Sequence, residues 1–159
     1  MALEDFTPTA SDVGALLRAR TKDTNGNEVG TFNDDTRPTG DQVSSLAADA
    51  AARVASAMGT DAPCPDNADK VAAVNAKAKA AARIYAAMLV ELSYFPEQVE
   101  SGRSPYDRLE KLWSKEVAAL TEYVAEECGG GSDAGGSGGI PLAQASFPGQ
   151  AVIGRETGW

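Results

Sequence analysis

The sequence predicts a mainly α-helical fold: a small bundle of three long helices with a short N-terminal helix, a candidate β-hairpin insertion and an extended C-terminal tail. Three observations carry that expectation. Alanine dominates the composition and aromatic residues make up only 6%; alanine costs least in a helix and lets backbones approach closely. Within 67–95, small or apolar residues at Val71, Val74, Ala78, Ala81, Tyr85, Met88, Leu92 and Phe95 alternate steps of three and four, the spacing of one helical face. Helix start and stop residues bracket two further apolar stripes.

The first short helix falls within 7–20. Thr9 or Ser11 supplies its cap, Val13, Leu16 and Leu17 share a face, and Arg18 and Arg20 sit near its negative end, where cations are favoured. Such a helix is too short to stand alone and must dock. The stretch 21–40 is rich in turn formers. Asn25-Gly26 is a strong hairpin signal, because a type I′ turn needs positive φ at both central residues. The region 20–32 is therefore either a small hairpin, 20–24 paired with 27–32, or an irregular polar loop, since only Val29 and Phe32 are apolar on the second arm. Asp34 and Asp35, adjacent and without a third ligand at calcium spacing, read as a solvated turn.

Thr39 and Gln42 form a capping-box pair that starts a helix running to about Met58, with Val43, Leu46, Ala50, Val54 and Ala57 inward and Gly59 as its left-handed stop. A proline-containing connector, 59–67, reads as an exposed loop. The central helix then opens at the Asn67 cap with Asp69 in its first turn and ends before Pro96. The segment 96–103 reads as a turn. Ser104-Pro105-Tyr106-Asp107 starts the last helix, whose stripe is Leu109, Leu112, Trp113, Val117, Leu120 and Val124, ending at about Glu127. Trp113 is either a core residue or an interface anchor.

From Cys128 onward the composition changes to a run of glycine and serine, which behaves as a flexible linker over 128–139. Residues 140–159 follow with Ile140, Leu142, Phe147, Val152, Ile153 and Trp159, too few apolar groups to fold alone and enough to bind. This tail either orders on a partner as an extended segment or frays. The division is thus 1–127 as a helical domain, 128–139 as linker and 140–159 as partner-binding tail.

The chain has 159 residues, enough for one domain with a real core. It has no histidine and a net charge of −9. Histidine-based triads, proton relays and zinc sites are excluded, since each needs an imidazole. The acidic balance argues against gripping nucleic-acid phosphates, which needs clustered Lys and Arg, although not against a surface past which nucleic acid slides. Cys64 and Cys128 are too few for a disulfide framework and fit no metal motif, so they read as free thiols of a cytosolic protein. No apolar run approaches the roughly 18 residues of a membrane span, and the acidic start does not resemble a signal peptide. The expectation is a soluble protein made in the cytoplasm, with no membrane contact and no cofactor. No Walker loop, GxSxG or paired CxxC is present, and no paired carboxylates are marked for acid–base work. A structural assembly protein or a small helical regulatory domain with a partner-binding tail fits better than an enzyme.

The order of parts sharpens the first class. DVGALLRART, TNGNEVGTF, DTRPTGDQV opening an alanine-rich helix, a second long helix ending ELSYFPEQ, and YDRLEKLW together resemble head-to-tail adaptor (connector) proteins of tailed phages infecting actinobacteria, over roughly residues 8–127. The resemblance implies a virion protein of the neck that assembles as a ring, commonly a dodecamer, beneath the portal protein. Such a ring extends the DNA channel and docks the next connector or the tail. On that expectation Asp23, Glu28, Asp34 and Asp35 face the lumen or the ring's end, where carboxylates repel passing phosphate. Ala73, Ala76, Ala80, Ala87 and Val90, on the back of the central helix, are candidates for subunit contact, because small side chains permit close approach and ring closure uses two different faces. The tail residues Ile140, Leu142, Phe147, Val152, Ile153 and Trp159 are candidates for binding the portal or another neighbour.

Overall fold

The computed structural model describes residues 5–59, 64 and 67–128. It is mainly helical: α1 (Ala10–Gly14), a 3-10 turn (Arg18–Arg20), α2 (Gly40–Met58), α3 (Ala68–Tyr94), α4 (Pro96–Glu100) and α5 (Tyr106–Tyr123), which runs on into a π-helical turn (Val124–Cys128). The long helix α3 is the centre of the bundle, packing α2 on one side and α5 on the other, while α1 lies across α2 and α3. Its 27 residues span about 40 Å at 1.5 Å per residue.

Local chemistry accounts for the helix ends. Thr9 caps α1 through a capping box with Asp12, and Thr39 caps α2 through the equivalent box with Gln42. Each threonine hydroxyl accepts an orphan amide of the first turn while the third residue's side chain accepts from the cap amide. Gly59, at φ 68°, closes α2 in the left-handed conformation that glycine adopts without penalty. Asn67 accepts from the Lys70 amide at the start of α3, and Phe95 and Pro96 stop it.

Two clusters make the core. One gathers Val13, Leu17, Phe32, Val43, Ile84, Met88, Val90 and Leu109; the other gathers Phe6, Val54, Met58, Val74, Ala78, Ala81, Leu120 and Val124. Trp113 packs against both, its ring 4.7 Å from that of Tyr85, so of its two readings the core one holds. Ala47, Ala50, Ala51, Ala78, Ala81, Ala82, Ala86 and Ala87 are all fully buried. Methyl-sized side chains at these positions let the helices approach closely.

Several expectations need correction. A single stripe is too narrow for α3: because the helix is covered on both sides, Ala87 and Val90 on its supposed back are fully buried, and they are core residues rather than surface for a neighbour. Leu92 is 43% exposed and Leu112 36% exposed, since the buried face of α3 turns toward Val90 and Glu91 near its end, and that of α5 follows Leu109, Trp113 and Leu120. The first helix breaks after Gly14 and ends in the separate 3-10 turn. The turn at 96–103 contains α4, with Pro96 at its first position, where the missing amide is no loss.

Among the described residues there is no strand. Lys22 and Glu28 form one antiparallel bridge about the Asn25-Gly26 turn, with the Val29 amide donating to the Thr21 carbonyl at 2.8 Å. The second arm then leaves to insert Phe32 into the core, and Asp23 pairs instead with Thr36. The loop is pinned where it crosses glycines: a Cβ on Gly40 would sit 3.0 Å from the Phe32 carbonyl oxygen, and one on Gly14 3.2 Å from the Thr31 Cα. Thr36, fully buried, accepts from the Asn33 amide at 2.9 Å and donates to the Pro38 carbonyl at 2.7 Å.

Cys64 and Cys128 form a disulfide, which overturns the free-thiol expectation. They stand 64 residues apart in sequence; α3 and α5 pack side by side and return the end of α5 to the start of α3, where Cys64 lies buried. Lys70 reinforces this end, its ammonium donating to the Glu127 carbonyl at 2.7 Å and pairing with the Glu127 carboxylate at 3.0 Å.

At the other end of the bundle, Glu91 is fully buried and fully paired. Arg20 Nε and Nη2 donate to its two carboxylate oxygens, each at 2.8 Å, and Ser104 Oγ donates at 2.7 Å. The same guanidinium donates to Gln98 and lies 4.1 Å above the centre of the Phe95 ring. Ser104 also accepts from the Tyr106 amide and so ties the start of α5 to α3, although the cap position of α5 is Pro105 rather than the expected Ser104.

Arg20→Met leaves Glu91 buried without its countercharge and should cost about 3–5 kcal/mol in denaturant unfolding. Reduction of the disulfide at neutral pH should cost about 2–4 kcal/mol, because it frees a long loop in the unfolded chain; Cys128→Ser should be equally destabilised and insensitive to reductant.

Candidate functional site

Four surface features could carry function, and each follows from how the helices meet. The first is the back of α3. Ala73, Ala76 and Ala80 are there at the surface, partly or fully exposed, in a row that continues to Arg83. Asp12, Ala76, Lys79, Ala80 and Arg83 border a shallow groove of about 310 Å³ between α1 and α3. Lys79 and Asp12 pair across it at 3.0 Å. Among the described residues the buried Asn75 Oδ1 and Arg83 Nε have no hydrogen-bond partner. Buried polar atoms are nearly always satisfied, so such groups mark a place where another molecule or solvent completes the bonding.

The Asp12 carboxyl is held below its ordinary value, chiefly by the Thr9 amide donating at 2.9 Å, with the Lys79 ammonium adding to the effect against some desolvation. The α1 cap and the groove therefore share one carboxylate.

The second feature is the acidic loop. Glu28, Asp34 and Asp35 are exposed, and Asp23 is partly buried. Asp23 organises the turn: its carboxylate accepts from the Asn27 amide at 2.8 Å, the Asn25 amide at 2.9 Å and the Asn27 side chain at 3.2 Å. Those bonds, the Asn27 amide first, hold its carboxyl below the usual range. Asp23 thus shapes the loop, while Glu28, Asp34 and Asp35 give it its outward charge. The Asp35 amide donates to Asn33 Oδ1 at 2.9 Å, which fixes the second acidic turn. Among the described residues no cluster of three or more Cys, Asp or Glu is placed to hold a metal.

The third feature lies beside the Glu91 closure. Arg18, Arg20, Arg103 and Arg108 line a cleft of about 560 Å³, with Leu16, Leu17 and Pro105 among its apolar walls. The sequence carries no sign of this convergence, because its arginines come from the 3-10 turn, the segment after α4, and α5. Arg20 was expected to answer a helix dipole; it is the partner of Glu91 instead.

The fourth feature is the Cys128 anchor, which fastens the point where the glycine run begins. The tail candidates Ile140, Leu142, Phe147, Val152, Ile153 and Trp159 lie outside the described residues. The described helices contain none long and apolar enough to cross a membrane. Compared with protein-family models, curated proteins and solved structures, the chain shows no significant match.

The double role of Asp12 sets a pH signature. A lowered carboxyl pKa adds stability that is present above the ordinary value of 3.8 and is lost as the pH falls through the lowered one. Asp12→Asn should therefore be less stable than the parent at neutral pH, and the gap should narrow as the pH falls below the ordinary value of 3.8. Urea midpoints measured across that range check it.

Proposed function

We propose that this protein is a structural, non-enzymatic head-to-tail adaptor of a tailed-phage virion, which assembles as a dodecameric ring between the portal and the next connector or tail component. The observation that carries the reading is the back of α3: a partly exposed alanine row beside Arg83 and Asn75, whose buried polar atoms are unpaired among the described residues. An alanine row lets a neighbouring helix approach closely, and partners across the contact would complete those bonds. The order of helices and the DTRPTGDQV and YDRLEKLW segments support the same class through their resemblance to such adaptors. In the assembled ring, Glu28, Asp34 and Asp35 face the DNA channel, where their charge disfavours adhesion of the genome without sequence-specific contact. The segment 140–159 binds the portal or a neighbour, with the glycine run providing reach from the Cys128 anchor.

Electron microscopy of the protein with portal-bearing capsids tests the reading. Rings at the portal vertex are expected, even if the free protein is monomeric; a small discrete oligomer that ignores the portal would point to a helical regulatory domain. Ala76→Lys, at the exposed position of the row, should change subunit stability by no more than about 0.5 kcal/mol, as surface substitutions usually do, while abolishing rings. Removing residues 140–159 should leave a folded subunit that no longer joins the capsid.

A further inference from the structure

The cleft beside the Glu91 closure is charged against the grain of the molecule. The chain carries a net charge of −9, yet four arginines line this cleft against one carboxylate, and that carboxylate, Glu91, is consumed by Arg20. Among the described residues, no ion pair or side-chain hydrogen bond holds the guanidiniums of Arg18, Arg103 or Arg108. Three like charges gathered at one opening repel each other, in a protein with carboxylates to spare. An anionic ligand relieves that repulsion.

We infer that this cleft is a binding site for an acidic peptide segment of a partner protein, one presenting at least two carboxylates with an apolar side chain between them. The guanidinium fork matches a carboxylate with two parallel hydrogen bonds. Leu16, Leu17 and Pro105 supply an apolar wall between the arginines for the intervening side chain. A volume of about 560 Å³ is in the range of sites that take a small ligand or a few side chains. Duplex nucleic acid fits less well: it is gripped by an extended basic surface, and here the positive charge is confined to one cleft of an acidic molecule. The rigidity of the site comes from the Glu91 closure, which joins the 3-10 turn carrying Arg18, the segment carrying Arg103 and the start of the helix carrying Arg108. This site stands independently of the ring reading.

The test uses the full chain and heteronuclear NMR of the arginine Nε–H signals. The probe is a short capped peptide rich in glutamate with a central leucine, run beside its glutamine counterpart, inorganic phosphate and a short DNA duplex. The glutamate peptide should shift the Arg18, Arg103 and Arg108 signals saturably. Replacing all three arginines by glutamine should weaken binding at least about tenfold, equivalent to about 1.4 kcal/mol, with the backbone spectrum unchanged away from the cleft. Arg53→Gln, on the exposed face of α2, should bind like the parent. If the glutamine triple variant fails to fold, replacement of the three arginines by lysine retains the charge and should bind more weakly than the parent, since lysine cannot form the fork. No shift with the glutamate peptide at millimolar concentration would overturn the assignment. So would equal shifts with the glutamine peptide, or shifts with phosphate or DNA and none with the glutamate peptide.

Discussion

A carboxylate with no solvent contact sits where four segments of this chain meet, and the bundle's architecture depends on its being paired. Glu91 lies near the end of the central helix, fully buried, with Arg20 on one side and Ser104 on the other. A buried charge is tolerable only when its hydrogen-bonding capacity is filled. Here the three donors come from the 3-10 turn after the first helix and from Ser104, just ahead of the last one. The Arg20 plane also covers Phe95, where the central helix stops, and reaches Gln98 in the short helix beyond. One ion pair therefore sets how the N-terminal segment, the central helix, the short α4 and the start of α5 are placed relative to one another. Specificity of arrangement is the contribution we assign to it, since such a pair adds little net stability over an apolar replacement of similar size.

The opposite end is closed by different chemistry. A disulfide and the Lys70–Glu127 contacts join the start of α3 to the end of α5. Between the two closures, the packing is made largely by alanine. Small side chains bring α2 and α3 close. The side chains that suit close packing in the core are the same type that line the partly exposed row at Ala73, Ala76 and Ala80.

Charge is distributed with a purpose distinct from stability. The acidic loop is held rigid by Asp23 and by the turn at Asn33, so Glu28, Asp34 and Asp35 project from a fixed frame. Arginines collect instead beside the Glu91 closure. An acidic loop and a basic cleft on one small bundle give it two regions of opposite charge.

The sequence by itself determined the helices, because their signals are local: threonine capping boxes, the Asn67 cap, Gly59, and the proline that ends α3 act within a few residues of where they stand. It also showed the acidic loop and its Asn-Gly turn. What it could not determine is which face of α3 stays open. Ala87 and Val90 look like Ala76 and Ala80 in sequence, and only the covering of the central helix by α1 and α2 on one side and α5 on the other buries the first pair and leaves the second at the surface. The disulfide, the pairing of Arg20 with Glu91 and the convergence of Arg18, Arg103 and Arg108 likewise join residues tens of positions apart. Spacing along the chain carries no record of such contacts; they exist because antiparallel packing of long helices returns distant segments to the same end of the bundle.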